Sequence, residues 1–297
     1  MSYSTQAFRL VRQFKDEKLD IEQIGRYRLS YHWYGDALAI AAFDMRSKDC
    51  LLFEEYHLNT EYAGQAAEEI QVLIRQHHLL SAGYWRDVLW VSTSDIFALI
   101  PTEFFDQKQA SQYLYLNTGK TIDPGQVYSF PCLEGEQTCL FEMELSLVDF
   151  LEQQYKNSTL ILTHDTGIFL EGVFRQQSSQ LHQLNLLVGY QRVVILNINA
   201  KNLRFLNAFL SKTPEDVLYF TLSVAESLGI ERDELALKIL GNIDKDSTTI
   251  TLLERYIKTT DYGSRPSSVV FSPQFDGFAD FAAHRFFTLF ASSFIHL

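Results

Sequence analysis

The chain is short of cysteine, of basic clusters and of long apolar runs, and each shortage narrows what it can be. Its three cysteines, Cys50, Cys132 and Cys139, are odd in number and share no metal-ligand spacing. They read as free buried thiols in a reducing compartment. No basic region leads from Met1 into an apolar segment, so no secretory signal is expected, and no apolar run approaches a membrane span. Lysine and arginine total 25 against 37 acidic residues, a net charge of -12, with no clustered basic stretch. Phosphate backbones need such clusters, so neither nucleic acid nor an anionic membrane is expected as a partner. These absences point to a cytoplasmic protein. What is present is an apolar fraction of 46%, including 14% aromatics, in 297 residues. That suffices for a sizeable core and for two domains or one large one.

The most informative stretch runs from Leu184 to Ile243. Leu184 to Gly189, Arg192 to Asn197 and Leu203 to Phe209 are apolar runs broken by turn residues, which predicts three strands joined as hairpins. A helix follows by rule. Thr213 caps it, Pro214 suits its first position, Asp216 completes a capping box, and Gly229 ends it. Val217, Phe220, Val224 and Leu228 share its inner face. Leu235 to Leu240 then reads as a buried strand or a short helix. The stretch from Arg26 to Val91 repeats this order with unrelated residues: strands at Arg26 to Tyr34, Ala37 to Phe43 and Cys50 to Leu58, a helix after Gly64, and a strand at Val88 to Val91. The sequence therefore predicts an α/β fold with duplicated βββαβ units and mixed sheets.

Elsewhere, residues 1 to 25 form an arm or first strand, and Phe97 to Ile100 is a short apolar run stopped by Pro101. Gln107 to Leu116 reads as helical. Asn117 to Gly125 holds Gly119, Pro124 and Gly125 and marks a domain boundary. Strands are expected at Val127 to Cys132, Thr138 to Met143 and Leu160 to Leu162. Helices are expected from Ser146, with Asp149 as its box partner, at Thr163 to Gln177, and at Thr249 to Ile257. The division expected is 1–118, 126–270, and an apolar helical segment at 271–297 packing back on the core.

Several short motifs invite a chemical reading, and each has a plainer one. Thr118-Gly119-Lys120-Thr121 ends like a phosphate-binding loop, but Leu114 stands where that loop needs glycine, so a turn is expected. His164-Asp165 follows a buried strand, where ligands of open α/β sheets gather. The preferred reading is that Thr163 or Asp165 caps the next helix. Ser92-Thr93-Ser94-Asp95 lacks the glycines of a nucleophile elbow and reads as a polar turn. His77-His78 reads as a helix end facing water.

A set of motifs then resembles a family of uncharacterised bacterial proteins known by a domain-of-unknown-function label, number 3822. They are Leu99-Ile100-Pro101 with Glu103 and Phe105, Tyr113-Leu114, Leu206-Asn207 with Phe209, Thr213-Pro214-Glu215-Asp216 and Tyr219-Phe220. Leu228-Gly229, Gly241-Asn242-Ile243, Tyr256-Ile257 and Arg265-Pro266 complete the set. The resemblance implies a two-domain actin-like ATPase (ribonuclease H-like) fold, which agrees with the duplication. That superfamily binds ATP between its domains, with an Asp-x-Gly hairpin from each domain on the phosphates and a Gly-Gly pair at the adenosine. Here the hairpins read Trp33-Tyr34-Gly35-Asp36 and Leu187-Val188-Gly189-Tyr190-Gln191, with no Asp two before either Gly, and Gly241 is followed by Asn242. Without those carboxylates Mg²⁺ loses its usual anchors.

The expectation is an actin-like protein without ATPase activity that binds or scaffolds an unknown protein partner. No catalytic or metal residue is assigned. The alternative keeps ATP and Mg²⁺, with weak or unusual hydrolysis, Asp36 and Asp165 standing in for the missing carboxylates, and Gly35, Gly189 and Gly241 near the nucleotide. A third reading gives partner binding to the Phe-rich C-terminus.

Overall fold

The computed structural model describes residues 8–58, 66–176, 182–267, 269–272, 275 and 284–295. The chain divides into two compact units. The first comprises Met1–Ile168, Ser268–Asp276 and Ser292–Leu297, and the second Phe169–Ser267 and Gly277–Ala291.

In the first unit an edge strand β1 (Phe8–Lys15) precedes a meander of β2 (Tyr27–Tyr34), β3 (Ala37–Asp44) and β4 (Cys50–Leu58). Helix α1 (Ala66–Gln76) then leads to β5 (Asp87–Ser92), and β9 (Thr159–His164) closes a six-stranded sheet ordered β1-β4-β3-β2-β5-β9. The β2, β3 and β4 pairings are antiparallel, whereas β5 lies parallel to β2 and β9 parallel to β5. β3 is buried along its whole length, as its run Ala37-Leu38-Ala39-Ile40-Ala41-Ala42-Phe43 requires of a strand covered on both faces. Small alanines there let neighbouring layers approach closely. A three-stranded sheet ordered β6-β8-β7 is inserted between β5 and β9: β6 (Phe97–Pro101), β7 (Val127–Cys132) and β8 (Gln137–Glu142), with α2 (Ala110–Thr118) packed on it. Helix α3 (Leu145–Gln154) returns the chain to β9.

The second unit repeats the plan. Strands β10 (Gln183–Gly189), β11 (Arg192–Asn199) and β12 (Asn202–Leu210) form the meander, α5 (Pro214–Ser227) crosses over, and β13 (Ala236–Gly241) lies parallel to β10. α6 (Thr248–Tyr256) and β14 (Thr259–Tyr262) complete a sheet ordered β12-β11-β10-β13-β14. This matches β4-β3-β2-β5-β9 strand for strand, so the duplication read in the sequence is structural. Leu235 to Leu240 thus resolves as a strand. One apolar cluster built from β10, β11, β13, α5 and α6 forms the core, including Leu186, Ile195, Val217, Val224, Ile239 and Leu253.

Helix α5 begins as its sequence dictates: Thr213 Oγ1 accepts from Asp216 N–H, and the Asp216 carboxylate accepts from Thr213 N–H. Its C-terminal Gly229 adopts φ 69°. α4 (Asp165–Gln176) starts in the first unit, and the division falls within it, between Ile168 and Phe169. At the C-terminal end the described residues form a short helix α7 (Phe287–Ala291) and a 3₁₀ turn over Ser292–Phe294.

Some local readings differ. The Gly- and Pro-rich stretch at 117–125 lies inside the first unit rather than between the two. The hydrogen-bond ladder explains why, since β8 pairs with β6 across that stretch and β9 pairs with β5. Gly119 simply ends α2 with φ 69°. α3 begins at Leu145 after Glu144, so Ser146 lies inside the helix and is not its cap. His77 does not face water. Its Nε2 lies 3.2 Å from a carboxylate oxygen of buried Glu54, and its Nδ1 accepts from the amides of Leu79 and Leu80. The expected C-terminal segment begins partly outside the described residues, as does Gly64.

Candidate functional site

In open α/β sheets ligands gather beyond the carboxyl ends of parallel strands. In the first unit those ends belong to β2, β5 and β9, and the polar residues the sequence singled out converge there. Thr93 donates to Asp165 Oδ2 at 3.1 Å, and His32 Nε2 lies 3.3 Å from the same hydroxyl. Asp165 Oδ1 accepts from Thr166 Oγ1 at 3.2 Å and lies 3.2 Å from His164 Nδ1. His164 Nδ1 also accepts from Thr166 N–H, and Nε2 sits against the backbone of Ser94. Phe97 stacks on the imidazole at 5.2 Å between ring centres. His164 is fully buried and Asp165 nearly so. The pair therefore ties the end of β9 to the loop after β5. The polar-turn reading of Ser92 to Asp95 agrees with this geometry, since Ser94 Oγ both donates to Ile96 O and accepts from Ile96 N–H.

The two hairpin tips differ in detail. In the first, Tyr34 pairs with Ala37, leaving Gly35-Asp36 as the loop, and Gly35 takes φ 58°. A positive φ at the first loop residue is what glycine is needed for. Asp36 is exposed, 3.7 Å from His57 Nδ1. Trp33, two before Gly35, donates its indole N–H to the Gly35 carbonyl at 3.1 Å. In the second, Gly189 pairs with Arg192, and the positive φ falls on Gln191 at 51°, while the Tyr190 side chain is 75% exposed. Leu187, two before Gly189, is buried in the second unit's sheet. Gly241 ends β13 with φ 101°, and a Cβ there would stand 2.2 Å from Val188 O. Close packing of β13 on β10 is a sufficient reason for glycine at this position. Among the described residues no three His, Cys, Asp or Glu side chains converge as a metal-binding group.

Beside the β5 end lies a cavity of about 340 Å³ that sequence reading missed. Trp33 and Trp90 supply its aromatic walls, Ser92, Thr93 and Ser94 its hydroxyls, Gln126 an amide, and Glu142 and Glu144 its carboxylates. It escaped notice because β8 and the start of α3 read only as structural elements. The one available signal was the spacing Glu142-Met143-Glu144 at a strand end.

No curated protein matches the chain. Among solved structures, a protein of Bacteroides thetaiotaomicron with an actin-like ATPase fold and unknown function superposes with a TM-score of 0.72 at 18% identity, over 82% of this chain and 93% of that one. A structure of the PilM–PilN type IV pilus biogenesis complex superposes with a TM-score of 0.58 at 13% identity, over 90% of this chain and 97% of that one. The fold is thus the actin-like ATPase fold, in agreement with the duplicated strand order above. No helix among the described residues is long and apolar enough to cross a membrane. The profile of the family described as protein of unknown function, DUF3822, matches residues 16–260, and the chain belongs to that family.

Proposed function

We propose that this chain is a protein-binding member of the actin-like fold that does not hydrolyse ATP. The observation that carries the reading is the pair of side chains two before each hairpin glycine. Trp33 and Leu187 stand where the superfamily resemblance places metal-anchoring carboxylates. One has its only donor tied to the hairpin loop, and the other is buried. Neither offers an oxygen to Mg²⁺, a hard cation that requires oxygen ligands. At the second tip the exposed ring of Tyr190 stands beside the backbone groups that a phosphate needs to approach. Of the two alternative carboxylates, Asp165 supports hydrolysis poorly, because it is committed to Thr93, Thr166 and His164. The occurrence of the same fold in a solved two-protein complex agrees with a binding role.

The test is the thermal unfolding midpoint with millimolar Mg-ATP, Mg-ADP or Mg-GTP. A ligand at 100 times its Kd adds about 2.7 kcal/mol to the native state, a shift of several degrees. No shift is expected. A clear shift with Mg²⁺-dependent turnover, lost in Asp36→Ala or Asp165→Ala, overturns the proposal in favour of nucleotide binding and hydrolysis.

A further inference from the structure

The cavity of about 340 Å³ at the end of β5 has a pronounced imbalance of hydrogen-bonding groups. Four of its side-chain donors are already engaged. Trp33 donates to Gly35 O, Ser92 to Thr163 O, Thr93 to Asp165 and Ser94 to Ile96 O. A hydroxyl that has donated its proton offers only lone pairs. The backbone amides of Glu142 and Met143 are likewise taken, by Ile96 O and Gln126 O.

What remains is the side-chain amide of Gln126, which both donates and accepts, and a set of negative acceptors. The carboxylate of Glu142, half-buried at the end of β8, has no hydrogen-bond or ion-pair partner among the described residues. Glu144 adds a second carboxylate at the N-terminus of α3, where it accepts from Ser146 Oγ. Among the described residues no lysine or arginine lines the cavity. An unpaired carboxylate beside low-dielectric walls calls for a cation.

The walls also select shape. Met143 and Leu147 provide an apolar side, and the partly accessible Trp33 provides aromatic surface. Such a lining suits an aliphatic stem carrying a planar or compact cation. Trp90 is completely buried, lines the cavity, and its Nε1 has no acceptor. A buried donor left without a partner is rare in a native fold and points to an acceptor that arrives from outside. A peptide supplies both a cationic side chain and carbonyl oxygens. Phosphate-bearing ligands are disfavoured here by the same two carboxylates.

We infer that this cavity receives a basic side chain, arginine or lysine, from a protein partner. The inference deepens the protein-binding reading, on which it rests, by naming the chemistry of the partner. A net charge of -12 favours approach of such a basic segment at long range.

The experiment titrates the full chain with the capped pentapeptide acetyl-Gly-Gly-Arg-Gly-Gly-amide and follows tryptophan fluorescence. Of the chain's three tryptophans, Trp33, Trp85 and Trp90, two line the cavity. The peptide is expected to give a saturable change with a Kd of about 1 mM, weakening as salt rises. The same peptide with citrulline, a neutral isostere of arginine, is expected to give none. Glu142→Gln is expected to weaken binding about tenfold, the loss of one charge-assisted hydrogen bond. The Glu142 side chain has no partner to lose among the described residues, so this variant keeps its fold, which circular dichroism checks. The inference is overturned by equal binding of the citrulline peptide, by an unchanged Kd in Glu142→Gln, or by no saturable change up to about 10 mM peptide. Any of these removes only the cavity assignment. A midpoint shift with Mg²⁺-dependent turnover of ATP removes the non-hydrolysing reading whatever the peptide does.

Discussion

Replacing Arg28 by methionine tests how the first unit holds its C-terminal turn. Arg28 lies in β2 with its side chain only 2% exposed. Its Nε donates to Asp87 Oδ1 on the neighbouring strand at 2.5 Å, and its Nη1 donates to Ser292 O at 2.8 Å and Ile295 O at 2.6 Å. Ser292 Oγ adds a 2.8 Å bond to Ser30 on the same strand. Removing the guanidinium strands a buried carboxylate, which typically costs about 3–5 kcal/mol. Arg86, whose Nε is 3.5 Å from Asp87 Oδ2 and half exposed, moderates that penalty. Each carbonyl left without a donor adds about 1 kcal/mol or more. The sum, about 4–6 kcal/mol, is a large share of a typical 5–15 kcal/mol stability. A second variant, Arg28→Met with Asp87→Leu, removes the stranded charge as well. Because it leaves both carbonyls unpaired, it should recover most of the loss and still fall about 2 kcal/mol short of the native chain. Urea unfolding followed by fluorescence reads both values, and limited proteolysis reads release of the C-terminal turn. A single variant within about 1 kcal/mol of the native chain refutes the reasoning. A double variant equal to it refutes the part assigned to the turn.

Other residues give sharper single outcomes. Burial alone pushes the Glu54 carboxyl up, but His77, Gln13 and Tyr56 together more than offset this and hold it below its ordinary value. Its contribution is therefore complete above the unfolded carboxyl value, about 4.3, and is lost as pH falls through the lower folded value. The stability gap between the native chain and Glu54→Gln should shrink below about pH 4, and parallel pH curves would count against the network. Gly241→Ala places a methyl 2.2 Å from Val188 O at φ 101°. It should cost about 3 kcal/mol or more in urea unfolding, and a neutral result would return this glycine to a ligand role. In the β11–β12 hairpin Ala200 and Lys201 both hold positive φ, 47° and 68°. Asn-Gly at these two positions suits that turn and should raise stability by about 1 kcal/mol, and a lower unfolding midpoint would contradict it.

The fold was legible wherever local chemistry and tertiary demand agree. Thr213-Pro214 and Asp216 specify a helix start without help from the rest of the chain, and the β10–β11–β12 runs carry their own turn residues. Gly119, Pro124 and Gly125 misled because turn chemistry is the same whether a turn separates domains or joins two parts of one. Only the ladder of β9 on β5 distinguishes the cases, and that pairing joins residues about 70 positions apart in sequence. Sidedness was the second gap. His77 lies at a helix end whose sequence reads as exposed, yet the α1 terminus turns its ring toward Glu54 on β4.

The candidate site was legible in part for the same reason. Strand ends are marked in sequence, so Thr93, His164 and Asp165 were noticed. The significance of Glu142 depends on what its neighbours have already done with their protons. Ser92, Thr93, Ser94 and Trp33 are donors by composition and acceptors or inert groups by context, each because of one bond to the backbone or to Asp165. A count of this cavity's neutral donors alone therefore predicts the wrong ligand sign. Counting hydroxyls and indoles suggests an anion site, whereas counting unengaged groups leaves the Glu142 carboxylate, the Gln126 amide and one buried indole N–H, with Glu144 adding a second negative charge. The charge of the ligand follows from that hydrogen-bond accounting, which three-dimensional structure supplies and sequence does not.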